Sequence, residues 1–153
     1  MDENQVVEQK PAASEAKPKA DLGKRAVALI IDGVISGILG LVPLVGMVAG
    51  AAYMLFRDGF EFPFMDHRSV GKKLMKLRPV RLDDGPVDLT TSLKRNWIFA
   101  LPLAVFAIPL LGVLAPFVSL AVAIIEILLV LTRDDGRRWG DQLAETQVIE
   151  VED

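Results

Sequence analysis

Residues 26–56 read AVALIIDGVISGILGLVPLVGMVAGAAYMLF, and the way this stretch divides decides the fold. A single span needs roughly 20 apolar residues, with about 17 as the short limit. The stretch is too long for one comfortable span and short for two. Charge placement settles the reading. Lys24 and Arg25 stand before it and Arg57 stands after it. Basic residues collect on the cytoplasmic side of a bilayer, so both ends belong there. The chain must therefore turn, and VPLVG (residues 42–46) supplies a proline and a glycine for the purpose. The arms fall at about 26–42 and 44–57. The second arm is only about 20 Å long at the usual helical rise. An arm that short tilts little, thins the bilayer or re-enters it.

Residues 97–132 repeat the plan, with arms at about 97–111 and 114–132. IPLLG (108–112) echoes VPLVG, Arg133-Asp134 echoes Arg57-Asp58, and Lys94-Arg95 echoes Lys24-Arg25. Two readings fit these echoes: a weak parallel repeat, or two hairpins obeying the same topological rules. Five Lys or Arg lie in residues 1–25, nine in 57–95 and three in 133–153, which accounts for all seventeen. The outer turns hold none. Trp97 and Trp139 stand beside basic residues, where indole rings favour the headgroup level. Phe60, Phe62 and Phe64 alternate in GFEFPF and are expected to dip into the same layer.

The bulk composition agrees. The 153 residues suffice for one domain, and 52% hydrophobic content is segregated from 24% charged content along the chain. Asp32 and Glu126 are the only charges within 26–56 and 97–132. A net charge of −3 argues against a nucleic-acid partner. The absence of cysteine excludes disulfides, thiolate metal sites and cysteine nucleophiles. Residues 1–21, rich in Ala, Lys, Glu and Pro, read as a disordered cytoplasmic tail. They are too acidic and too long for a secretion signal, so the first span is expected to be retained. Residues 151–153 read as a second short tail.

Residues 58–95 read as the central cytoplasmic loop. In DHRSVGKKLMKL, Val70, Leu74 and Leu77 recur at helical spacing among Lys72, Lys73 and Lys76. With Arg78 these form a basic surface expected to face the lipid of the anionic inner leaflet. LRPVRL then alternates like a strand and DDGP signals a turn, so residues 80–90 are expected to form a small hairpin. The terminal TQVIEV also alternates and is a candidate to pair with it.

Two residues stand out chemically. A carboxylate at a helix centre costs about 2.5–3.5 kcal/mol on insertion scales, so it faces the bundle interior and finds a partner. Ala28, Asp32, Ser36 and Gly40 are spaced by four and share one face. Arg25 lies on roughly the same face as Asp32, within reach directly or through a water. Glu126 mirrors this, with Arg133 following it and Ser119 and Ala123 on its face. Two roles fit. The acids meet as an ion or proton site that includes Ser36, or each locks helix packing through a local partner. The spacings Gly33–Gly37 and Gly46–Gly50 fit close helix association. VGKK (70–73) lacks the earlier glycine and the following Ser or Thr of a phosphate loop. His67 is the lone histidine, so neither a metal site nor a nucleophilic triad is expected.

Arg25, Asp32, SVGKKLMKLRPV, SLKRNW and RRWGDQLAETQVI, in that order over about residues 22–150, resemble the RDD family of multi-pass bacterial membrane proteins. The family is named for one arginine and two aspartates, matched here by Arg25, Asp32 and Asp141. The resemblance implies a bacterial cytoplasmic (inner) membrane location. Some RDD-like proteins are linked to cation/proton exchange, which implies Na+/H+ as candidate substrates. The short second span and Glu126 depart from the family pattern. The expectation is thus an all-α membrane protein with four transmembrane helices in two hairpins, a small cytoplasmic helix and β-hairpin segment, and both termini cytoplasmic. The favoured role is a scaffold or assembly partner held by an Arg25–Asp32 pair. The alternative is a small cation/proton antiporter using an intramembrane carboxylate. No enzyme activity, cofactor or metal is expected. The bilayer and a second copy or membrane protein are the expected partners.

Overall fold

The computed structural model describes residues 17–43, 45–106, 108 and 110–152; the tail reading for residues 1–16 falls outside them. Helix α1 (Leu22–Gly40) starts where the Asp21 carboxylate accepts the Lys24 backbone N–H at 2.8 Å. It ends before a turn at Leu41–Pro43, and α2 (Gly46–Phe56) returns along it. The two helices touch backbone to backbone. A Cβ on Gly46 would lie 2.5 Å from the Leu39 carbonyl oxygen, and one on Gly50 would lie 2.7 Å from that of Ser36. The Ser36 hydroxyl donates to the Gly50 carbonyl at 3.0 Å. With 11 residues, α2 is about 16 Å long, half the roughly 30 Å hydrocarbon thickness.

The third apolar stretch departs from a single span. Its helix begins early, as α4 (Leu89–Asn96), because Asp88 caps it by accepting the Thr91 N–H at 2.7 Å. It tightens to a 3₁₀ turn over Trp97–Ala100 and resumes as α5 (Leu101–Phe106). Pro102 has no N–H to return to the preceding turn, so it fits only where a helix begins. After a second 3₁₀ turn at Gly112–Leu114 comes α6 (Ala115–Thr132). The 21 residues Gly112–Thr132 are the one helical stretch among the described residues long and apolar enough to cross a membrane. At 1.5 Å per residue they cover about 31 Å. Ile30, Ile38, Val48, Phe117 and Leu120 are all at least 60% exposed, apolar surface suited to lipid rather than water. The chain is a membrane-associated helical protein.

The remaining elements form a cap with internal symmetry. Helix α3 (Val70–Leu74) leads into strand β1 (Leu77–Arg81), and α7 (Trp139–Leu143) leads into β2 (Thr146–Glu150). The two modules match residue for residue: Gly71 with Gly140, Lys72 with Asp141, Leu74 with Leu143. Both helices end on a left-handed residue, Lys76 (φ 54°) and Glu145 (φ 51°). The strands pair antiparallel with Pro79 opposite Val148 and Leu77 opposite Glu150, which places an approximate two-fold axis at Pro79–Val148. The hairpin expected at 80–90 does not form. Asp83 accepts the Gly85 N–H at 3.1 Å and Asp88 is committed to α4, so β1 takes the terminal strand as its partner. Ala20, Ala28, Leu77 and Val148, with Met75 packed against them, are the small core beneath the cap.

Candidate functional site

Four helix ends converge under the cap, and each brings an arginine: Arg25 from the first turn of α1, Arg57 from the end of α2, Arg95 from the last turn of α4, and Arg138 just before α7. Asp141 receives three of them. Its carboxylate accepts Arg95 Nη2 at 2.9 Å, Arg25 Nη2 at 3.2 Å and Arg138 Nη2 at 3.3 Å. Burial alone would raise this carboxyl, but Arg138, Arg95 and Arg25 outweigh it and hold it far below the usual carboxylate range. Gly140 makes the approach possible, since a Cβ there would sit 1.9 Å from the Arg95 carbonyl oxygen.

Asp58 is the second anchor. It accepts Lys72 Nζ at 2.7 Å and Asn96 Nδ2 at 3.3 Å, with Arg95 Nη1 at 3.6 Å. Its backbone N–H donates to Ser92 Oγ at 3.2 Å. Burial again works against ionisation, and Lys72, Arg95 and Arg57 again outweigh it, so its carboxyl lies well below the usual range. Burial pushes Lys72 down to about 8 despite Asp58.

Asp32 is saturated. Tyr53 Oη donates to Oδ1 at 2.8 Å, the Gly71 backbone N–H donates to the same oxygen at 2.8 Å, and Arg57 Nη1 donates to Oδ2 at 3.0 Å. The Asp32 and Arg57 side chains are 1% and 2% exposed. Gly71 reaches Asp32 because it lies against α1, where a Cβ would be 2.0 Å from the Ala28 carbonyl oxygen. The expected Arg25–Asp32 pair is therefore corrected. Asp32 pairs with Arg57, while Arg25 turns to Asp141 and to the Gly136 carbonyl.

Glu126 is the exception. It is 5% exposed, yet neither carboxylate oxygen has a hydrogen-bond partner among the described residues. Its nearest charge is Arg138 Nε at 3.8 Å, and the expected Arg133 pairs instead with Asp135 at 3.3 Å. Arg57 and Arg138 both lie over the Phe99 ring, at 5.7 and 5.5 Å. Between α1 and α6 opens a cavity of about 310 Å³. Asp32 and Glu126 both border it, each facing a different arginine.

Among the other sequence-chosen residues, Ser36 serves the α1–α2 contact through Gly50. Lys72 does not face lipid: its side chain is 9% exposed and is drawn inward by Asp58. Lys76 is exposed, and Lys73 and Arg78 are half-buried, with Arg78 paired to Asp66. Arg57, Asp58, Arg95 and Arg138 are the site residues that sequence reading took only as boundary markers. Their signal was their position at the helix ends. Among the described residues no three His, Asp or Glu converge to hold a metal ion.

The model of the RDD family matches residues 43–145. The match starts after α1, so Asp141 lies inside it and Arg25 and Asp32 lie before it. No curated protein and no solved structure matches the chain. The chain belongs to the RDD family.

Proposed function

We propose that this RDD-family chain is a membrane scaffold or assembly partner in the bacterial inner membrane, in which a buried charge cluster fixes four apolar segments in one arrangement. The observation that carries this reading is the convergence of Arg25, Arg57, Arg95 and Arg138 on Asp32, Asp58 and Asp141. One end each of α1, α2 and α4 reaches the cluster, and Arg138, in the segment that follows α6, joins it, which supports two hairpins with both termini on the cytoplasmic side. The outward apolar faces of α1 and α6 are left for lipid, a second copy or a membrane partner. A carboxylate that exchanges ions must be able to release its partners. Asp32 instead spends both oxygens on three donors from α2 and α3, an arrangement suited to locking. Catalysis has no part in this reading.

The second reading, a cation/proton antiporter, is favoured by one observation: the unbonded carboxylate of Glu126 beside the cavity. Reconstitution separates the two. Proteoliposomes holding the wild-type chain should show no cation-driven proton flux above empty vesicles with Na+, K+ or Li+. Flux that Asp32→Asn or Glu126→Gln abolishes, with expression and oligomeric state retained, would overturn the scaffold reading.

A further inference from the structure

The approximate two-fold of the cap makes the α1–α6 cleft conspicuous. On one side of the axis α2 packs against α4 and the Trp97–Ala100 turn. On the other side α6 makes its main contacts with α5 and the 3₁₀ turns, and α1 makes its own with α2 and α3. Where the symmetry would place α6 against α1, there is the cavity.

Its lining has three parts. Arg25, Arg57, Lys72 and Arg138 outnumber Asp32 and Glu126 among the charged groups at its base. Arg57 Nε is buried without a hydrogen-bond acceptor, and both Glu126 oxygens are buried without a donor, among the described residues. The walls are apolar: Leu22, Ala26 and Leu29 from α1, Ala123, Ile127 and Val130 from α6. By helical spacing the α1 row continues through Gly33, Gly37 and Gly40. A Cβ at any of these three glycines would meet nothing within 4 Å. This contrasts with Gly46 and Gly50, which are filled by the opposite backbone. The glycine row is an open, exposed face of α1 in line with the cavity's α1 wall.

We infer that this cleft binds one phosphatidylethanolamine molecule. The phosphate is held by the guanidinium groups of Arg57 and Arg138, the ammonium by Glu126, and an acyl chain lies along the open face of α1 at Gly33, Gly37 and Gly40. A guanidinium nitrogen without an acceptor and a carboxylate without a donor, on two residues that line one cavity, call for a ligand that carries both a phosphate and an N–H donor. An open apolar helix face beside them calls for a hydrocarbon chain on the same molecule. Phosphatidylcholine supplies the same phosphate and net charge but has no N–H, and phosphatidylglycerol supplies hydroxyls but no cation. The inference stands independently of the scaffold reading.

Lipid retention tests it. The full chain is reconstituted in equal parts phosphatidylethanolamine, phosphatidylcholine and phosphatidylglycerol, re-extracted in mild detergent, and its bound lipid counted by native mass spectrometry. The wild type should retain one phosphatidylethanolamine about tenfold over phosphatidylcholine, the scale of one ion-paired hydrogen bond. Glu126→Gln should still hold one lipid, with the preference over phosphatidylcholine reduced to near unity. Gly37→Leu, whose Cβ meets nothing within 4 Å, should fold and lose the retained lipid whatever its headgroup. Equal retention of the two zwitterionic lipids by the wild type overturns the assignment, as does a wild-type preference for phosphatidylglycerol. An unchanged preference in Glu126→Gln, or a folded Gly37→Leu that keeps its lipid, overturns it too.

Discussion

The α1–α2 hairpin and the α5–α6 hairpin follow one plan in sequence and reach opposite packing. In the first, the acid Asp32 has three donors, and the closing Arg57-Asp58 pair is buried at 2% and 0% exposure. In the second, the acid Glu126 has no hydrogen bond among the described residues, and the closing Arg133-Asp134 pair is exposed. The difference lies in what comes next along the chain. After α2, the loop brings Gly71 against Ala28, so a backbone N–H arrives at Asp32. After α6, the matching Gly140 lands on Arg95 of α4 instead, and its neighbour Asp141 takes the arginines. A buried acid is locked where a glycine lets a second element reach it and is left over where none does.

Acid should show the contrast most strongly, because it acts on the whole cap. The carboxyls of Asp58 and Asp141 lie below their ordinary value of 3.8 in the folded chain. Their contribution is therefore complete above that pH and is lost as pH falls through the lowered folded values. Hydrogen exchange in detergent micelles should show amides of α3, β1 and β2 losing protection below pH 3.8, while those of α6 persist. Simultaneous loss in both regions would break the comparison.

Asp32→Ala comes next. It strands a buried Arg57, a loss of about 3–5 kcal/mol, read as a fall in thermal midpoint. Gly71→Ala should cost about 1–3 kcal/mol or more through the clash with the Ala28 carbonyl, again by thermal unfolding. Tyr53→Phe removes one of three donors to Asp32 and should cost about 1.5 kcal/mol. Glu126→Gln should change stability by under about 0.5 kcal/mol, since no hydrogen bond is lost. A Glu126→Gln loss as large as that of Asp32→Ala would erase the distinction between the hairpins.

Much of this plan was legible in the residues. The alternation in LRPVR and TQVIE marked two strands that do pair, with each other and without the hairpin the terminal run was expected to join. The proline-glycine signal VPLVG, in the middle of its apolar stretch, marked the turn between α1 and α2, and Asp32 and Glu126 are both buried. What sequence could not supply was partner choice. Arg25 shares a helix face with Asp32, yet Asp32 takes Arg57 while Arg25 pairs with Asp141, far along the chain. Helical spacing says which residues share a face and nothing about which distant loop covers it. Lys72 was misplaced for the same reason, because Asp58 pulls its side chain inward while Lys76 stays exposed. The hairpin expected at 80–90 failed because its turn residues served other hydrogen bonds.

A double-mutant cycle on Asp32 and Arg57 tests the central claim most directly. Thermal or denaturant unfolding in one detergent is compared for Asp32→Leu, Arg57→Met, the double variant and the wild type. If the pair is a lock, each single variant loses about 3–5 kcal/mol and the double variant recovers most of it, since two apolar groups leave no stranded charge. Simple addition of the two losses would contradict the account.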